Sequence, residues 1–156
     1  MSNEALIRKF YEAFARADAE SMVDCYAPNV IFTDPAFGEL QGDEAKSMWR
    51  MLIENSKGQL SLTFDNIKAT DQIGSADWVA CYTFSQTGRK VVNRIAARFE
   101  FENGLIVRHS DHFDLWKWSR QALGLPGYLL GWTPFMKNKI QQRARRQLEK
   151  YRARKG

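Results

Sequence analysis

Both histidines of the 156-residue chain fall within LIVRHSDHFDL, residues 105–115, together with two aspartates. His109, Asp111, His112 and Asp114 are side chains that move protons or hold metals near neutral pH. Apolar ends bracket this polar centre, so the stretch predicts a strand. Side chains alternate between the two faces of a strand. Val107, His109, Asp111 and Phe113 therefore share one face, and Arg108, Ser110, His112 and Asp114 share the other. If the Val107/Phe113 face is buried, His109 and Asp111 point inward. A buried carboxylate is costly unless paired or hydrogen-bonded. Asp111 thus needs either a chemical role or a salt bridge to Lys or Arg. His109, two residues away on the same face, is placed to orient or protonate Asp111, or is simply a satisfied, half-buried histidine. His112 falls on the outer face and suits a subunit contact. The two histidines lie on opposite faces, which argues against a metal site. A third acid, Asp34, lies near the end of VIFTDP, on one face with Val30 and Phe32. It reads either as a proton-handling group or as a turn cap before Pro35.

The elements that must position these groups follow from hydrophobic period. Residues 3–16 predict a helix with Asn3 as N-cap and an apolar stripe through Leu6, Ile7, Phe10, Tyr11, Ala13 and Phe14. A second helix is expected over 19–26, with Met22, Val23 and Tyr26 inward, stopping before Pro28. A short strand over 30–35 and a loop over 37–42 follow. Asp43 is expected to cap a third helix over 44–55, whose apolar residues are Met48, Trp49, Leu52 and Ile53. The period then changes to two. Strands are expected over 60–69, 76–86, 91–102 and 105–115, joined by Asp71–Ser75, by TGRK and by Glu102–Asn103–Gly104. Trp78, Ala80, Tyr82 and Phe84 share one strand face, as do Ile95, Ala97, Phe99 and Phe101. Helices first and an antiparallel meander after them mean an α+β fold. Residues 116–123 predict one or two helical turns. Residues 123–134, LGLPGYLLGWTP, read as an apolar loop whose Tyr128, Leu129, Leu130 and Trp132 need a place to pack. Pro134 opens a long helix with a thin stripe of Met136, Ile140, Ala144, Leu148 and Tyr151. The expected division is residues 1–124 as the α+β domain and 125–156 as apolar loop plus basic helix.

Composition narrows the classes. Hydrophobic residues make up 44% and charged residues 26%, as in ordinary globular domains rather than disordered chains. No run of eighteen apolar residues is present, and MSNEALIRKF is a helix start rather than a signal peptide. Cys25 and Cys81 sit singly in apolar patterns, without metal-ligand spacing. They are expected as free thiols of a cytoplasmic protein. The net charge of +5 is uneven. Residues 137–156 hold nine Lys/Arg against Glu149 alone, a net of +8, which leaves −3 for residues 1–136. This tail is expected as a solvated helix packed by its thin stripe. Contact with an anionic membrane surface is a second reading, given Trp132, Phe135 and the adjacent cations. Nucleic acid is a third, although no recognition motif accompanies the basic run. No phosphate-binding glycine loop, Ser/Cys nucleophile signature or nucleotide fingerprint appears.

Three stretches, FYEAFARADAESMVDCYAPNVIFTDPAFG at 10–38, TGRKVVNRIAARFEFENGLI at 87–106 and SDHFDLWKWSRQALGLP at 110–126, resemble the nuclear-transport-factor-2-like superfamily. The likeness covers residues 3–123, and within the superfamily the ketosteroid-isomerase, SnoaL-like polyketide-cyclase and limonene-epoxide-hydrolase branches. It implies a curved sheet wrapped on helices into a cone, a pocket inside, and a homodimer with Arg94, Arg98 and His112 on the outer sheet face. Asp34 matches the proton-shuttling aspartate of the ketosteroid isomerases, but Phe10 and Ala97 stand where their oxyanion donors are expected. Tyr11 is one residue off. Asp111 matches a catalytic aspartate on the last strand of the epoxide hydrolases, but Trp78 and Ala80 replace their Arg and second Asp. The polyketide cyclases also use an aspartate there, and the chain departs least from that pattern. The resemblance thus implies cofactor-free acid/base chemistry on a small hydrophobic ligand. Asp111, Asp34 and His109 would be catalytic, and Tyr82, Trp78, Phe32, Trp49, Phe113 and Ala97 would line the site. The alternative is a non-catalytic binding module, using the pocket for a ligand or the tail for an anionic surface.

Overall fold

The computed structural model describes residues 1–155. Helix α1 spans Asn3–Ala15 and buries Leu6, Ile7, Phe10, Tyr11, Ala13 and Phe14, as its stripe requires. Its N-cap is Ser2 rather than Asn3. The Ser2 hydroxyl accepts from the Ala5 amide, which frees the Asn3 side chain to donate to Thr70 O and Asp71 O. Helix α2, Ala19–Val23, is shorter than its apolar pattern suggests. Strand β1 already begins at Tyr26 and runs to Asp34. Pro28 explains the early switch, because it has no N–H for a helix and forces the preceding residue into extended backbone. Residues 37–42 are not all loop. Gly38–Gln41 form strand β2, which pairs antiparallel with β1 in register Asp34↔Gly38. Four residues are too few for alternation to show in sequence. Helix α3, Asp43–Ser56, has Gly42 as its N-cap, with Asp43 in the first turn.

Strands β3 (Ser61–Ala69), β4 (Ile73–Phe84), β5 (Arg89–Glu102) and β6 (Leu105–His112) complete a curved, unclosed six-stranded sheet in the order β2-β1-β6-β5-β4-β3. All neighbours are antiparallel except β1 and β6. The inner residues of β5 alternate with exposed ones without a break from Val91 to Glu102. On β6 a register shift opposite Glu100 and Phe101 makes Ile106 and His109 both inward, three residues apart. A bulge adds one residue to a strand and so resets which face follows it. Gly74 leaves no room for a side chain, since a Cβ there would lie 2.9 Å from Ile7 Cδ1 of α1 and from Phe101 Cε2.

Three further helices close the open end: α4 (Leu115–Leu123), α5 (Leu125–Leu130) and α6 (Pro134–Lys155). The stretch read as an apolar loop thus contains a helix. Pro126 sits in its first turn, where a missing N–H costs nothing. Its apolar residues do not pack: Tyr128, Leu129, Leu130 and Trp132 are exposed. The thin stripe of α6 behaves as read. Met136, Leu148 and Tyr151 are buried and Ile140 and Ala144 half-buried, with Leu148 and Tyr151 joining the main core. Gln141 Nε2 donates to Pro35 O at 3.0 Å and Arg145 donates to Glu39 O. The C-terminal helix therefore clamps the turn that follows Asp34.

Candidate active site

His109 and Asp111 do face inward, and both are buried, at 0% and 4% exposure. His109 Nε2 lies 2.9 Å from Asp111 Oδ1, and its Nδ1 lies 2.7 Å from the Tyr26 hydroxyl. The Trp49 indole N–H donates to Tyr26 Oη at 2.8 Å, and that of Trp78 donates to Asp111 Oδ1 at 3.4 Å. Five side chains from α3, β1, β4 and β6 thus form one hydrogen-bonded chain. Tyr26 Oη accepts from Trp49, and its own proton is free for His109 Nδ1; an N–H on Nε2 would then donate to Asp111. Aromatic rings enclose the imidazole: the Phe99 centroid is 4.4 Å away, Phe32 5.1 Å and Phe10 5.5 Å. Asp111 is held by a histidine and an indole rather than by an Arg or Lys salt bridge. Burial pushes the Tyr26 phenol well above its ordinary pKa, with the Trp49 bond pulling the other way.

Asp34 caps a turn and also lines the cavity. Its Oδ1 accepts from the amides of Ala36 (3.0 Å) and Phe37 (2.6 Å), capping the turn around Pro35. It also lines the same cavity as Asp111. Burial is the main reason its pKa is pushed up to about 7; the two amide bonds work against this, and the Asp111 charge adds to it. Only Oδ1 is engaged by the turn.

The cavity holds about 230 Å³. It is mostly apolar, with walls from Met48, Trp49, Trp78, Ile95 and Phe113 and a rim that includes Gln147 of α6. Polar groups converge on it from Asp34, Asp111, Tyr82 and Asn93. Tyr82 Oη accepts from the Trp118 indole at 2.6 Å, so its proton is free to donate into the space. A second groove between α4–α5 and α6 shares Phe84, Trp118 and Gln147 with the cavity. Of the expected lining residues, Tyr82, Trp78, Trp49 and Phe113 are at the wall. Phe32 and Ala97 are not. Phe32 is spent packing on Trp49 and His109, and Ala97 is paired with Asp111 and Ala76 across the sheet. His109 is not at the wall; it lies behind Asp111, to which it is bonded, and Trp49, on which it stacks. Sequence reasoning missed Tyr26 by placing it at the end of a helix, although the Ala-Pro that follows signals extended backbone. It also missed Trp118, Asn93 and Gln147, for which no local signal exists. Among the described residues, no group of three or more His, Cys, Asp or Glu is arranged to hold a metal ion. No described helix is long and apolar enough to cross a membrane.

A curved, unclosed sheet wrapped on helices around an apolar cavity defines a nuclear-transport-factor-2-like protein with a small-molecule pocket. Residues 7–109 match the model of the SnoaL-like domain, and the chain belongs to that family. Similar solved structures agree on the fold. A candidate polyketide cyclase from Xanthomonas campestris pv. campestris is 21% identical, with a TM-score of 0.61 over 75% of this chain and 93% of its own. An NTF2-like protein of unknown function from Burkholderia pseudomallei is 25% identical, with a TM-score of 0.61 over 73% and 92%. An epoxide hydrolase of the limonene-epoxide-hydrolase type from M. tuberculosis is 16% identical, with a TM-score of 0.59 over 82% and 96%. No curated protein matches the chain.

Proposed function

We propose that this protein is an acid/base catalyst acting on a small, largely apolar substrate without a cofactor. One observation carries the reading: two carboxylates from different strands line a single apolar cavity in contrasting environments. Asp111 has Oδ1 engaged by His109 and Trp78, which orients Oδ2 as a base. Asp34, with its pKa near 7, retains a proton around neutrality and serves as the acid. In an enolisation, Asp111 removes a proton from carbon while Asp34 or the Tyr82 hydroxyl donates to the carbonyl oxygen. Returning a proton to another carbon completes an isomerisation, and attack of the enol carbon on a second carbonyl completes an aldol cyclisation. Tyr26 and His109 position Asp111. The groove beside α6 supplies an entry path. Homodimerisation through the outer sheet face, around Arg94, Arg98 and His112, and a cytoplasmic setting belong to the same proposal, as does a division of labour between residues 1–124 and 125–156.

The test requires no knowledge of the net reaction. A panel of enolisable ketones and diketones is incubated with protein in D₂O, and exchange at the α-carbon is followed by NMR. Exchange should be catalysed by the native chain and lost in Asp111→Asn, with the circular dichroism spectrum unchanged. Exchange that survives Asp111→Asn refutes the assignment. The second reading, a non-catalytic binder, draws on the apolar Phe10 and Ala97 at the expected donor positions; both are fully buried. It predicts saturable ligand binding that Asp111→Asn leaves intact and no exchange at all.

A further inference from the structure

A helix in a small domain normally buries its large apolar side chains. Helix α5 buries its glycines instead. A Cβ on Gly127 would overlap the Ser119 carbonyl, and one on Gly131 the Ser119 hydroxyl, so α5 meets α4 backbone to backbone. The leucines and aromatics are thereby turned outward. Leu125 is 70% exposed, Trp132 67% and Phe135 65%, with Tyr128, Leu129, Leu130 and Trp116 also exposed. Seven of the eleven exposed large hydrophobic residues described lie between residues 116 and 135. Concentrated exposure of this kind marks an interaction surface. The Trp116 indole donates to Tyr128 O, which fixes one edge of the patch.

The patch runs directly into charge. Phe135, Lys139, Arg143 and Arg146 recur at helical spacing along α6 and are exposed, the three cations also lining the groove between α6 and α4–α5, and Lys139 Nζ lies 5.5 Å from the Phe135 ring centre. Lys137, Lys139, Arg143 and Arg146 are exposed and have no salt-bridge partner among the described residues. We propose that the α5–α6 face docks on an anionic phospholipid bilayer. Trp132, Phe135 and the leucines would enter the interface and the α6 cations would meet the headgroups. Charge complementarity selects this occupant. A second copy seated on the same face would bring two segments of +8 together. Nucleic acid would satisfy the cations but leave Leu125, Leu129 and Leu130 in water.

The test is flotation of the full chain with vesicles of phosphatidylcholine alone and of phosphatidylcholine mixed with phosphatidylglycerol. The chain should float with the anionic vesicles and be released by salt. Each α6 cation removed should weaken partitioning about fivefold, so K139Q/R143Q/R146Q should lose on the order of a hundredfold. L129S/W132S should abolish flotation with the circular dichroism spectrum unchanged, because both side chains are already in water. Equal behaviour on the two vesicle types, or flotation retained by both variants, overturns the proposal. So does duplex DNA binding without flotation, or a concentration-dependent dimer that W132S dissolves. None of these readings depends on the cavity being catalytic.

Discussion

Replacing Asp34 by Asn should leave the fold in place and remove a pH dependence. The amide oxygen of Asn can accept the same two bonds from Ala36 and Phe37, so the turn survives. What disappears is a carboxyl whose pKa is about 7 in the folded chain against 3.8 for the ordinary group. The sign follows from proton binding. Between those two values the unfolded chain has released the proton and the folded chain still holds it, so stability falls as pH rises through the window. The full shift is worth up to about 4 kcal/mol above pH 7, at about 1.36 kcal/mol per unit. Between pH 5 and pH 8 the wild type should lose about 3 kcal/mol that Asp34→Asn does not lose. At about 2–4 °C per kcal/mol for a chain of this size, that is a relative Tm shift on the order of 10 °C. Urea unfolding of both proteins at the two pH values isolates the effect, because every other titrating group is common to both. If the two stability profiles stay parallel within about 0.5 kcal/mol, Asp34 is an ordinary ionised acid. The acid half of the proposed mechanism then fails.

Other perturbations have defined outcomes. His109→Leu takes one hydrogen-bond partner each from the buried Tyr26 hydroxyl and Asp111, leaving them only Trp49 and Trp78, and should cost about 2–5 kcal/mol in urea unfolding; a loss below about 1 kcal/mol, within error of a surface substitution, would show that the chain of hydrogen bonds contributes little. Ending the chain after Thr133 removes the buried Leu148 and Tyr151 side chains, together about 3–6 kcal/mol of burial, and releases the turn held by Gln141; an unchanged Tm would contradict the placement of α6 on the core. Tyr82→Phe removes the free hydroxyl proton while keeping the ring, so it should lower α-exchange roughly tenfold or more without changing stability by more than about 1 kcal/mol; full activity would leave Asp34 as the sole donor.

Much of this protein is legible in its residues alone. The strict alternation of β5, the stripe of α1 and the thin stripe of α6 each state which side is buried, because a period of two or 3.6 repeats long enough to be read. The inward pair His109 and Asp111 followed from the same rule, although the bulge at residue 107 shows that the face was right for only part of the strand. Short or interrupted elements were not legible. Strand β2 has four residues, β1 starts against a proline, and α5 exposes what a helix usually buries. The site was legible only one strand at a time. Asp111 and Asp34 were visible as acids on apolar faces. That they share one cavity, that Tyr26 and Trp49 complete the hydrogen-bonded chain, and that Trp118 and Gln147 help enclose the space depends on the parallel pairing of β1 with β6 and on where α4 and α6 pack. Those contacts join residues from 23 positions apart, Trp49 to Tyr26, to 106 apart, Gln141 to Pro35. Periodicity carries no information at that range. It reports which face of an element is apolar, whereas the choice of which faces meet is made by packing in the folded chain.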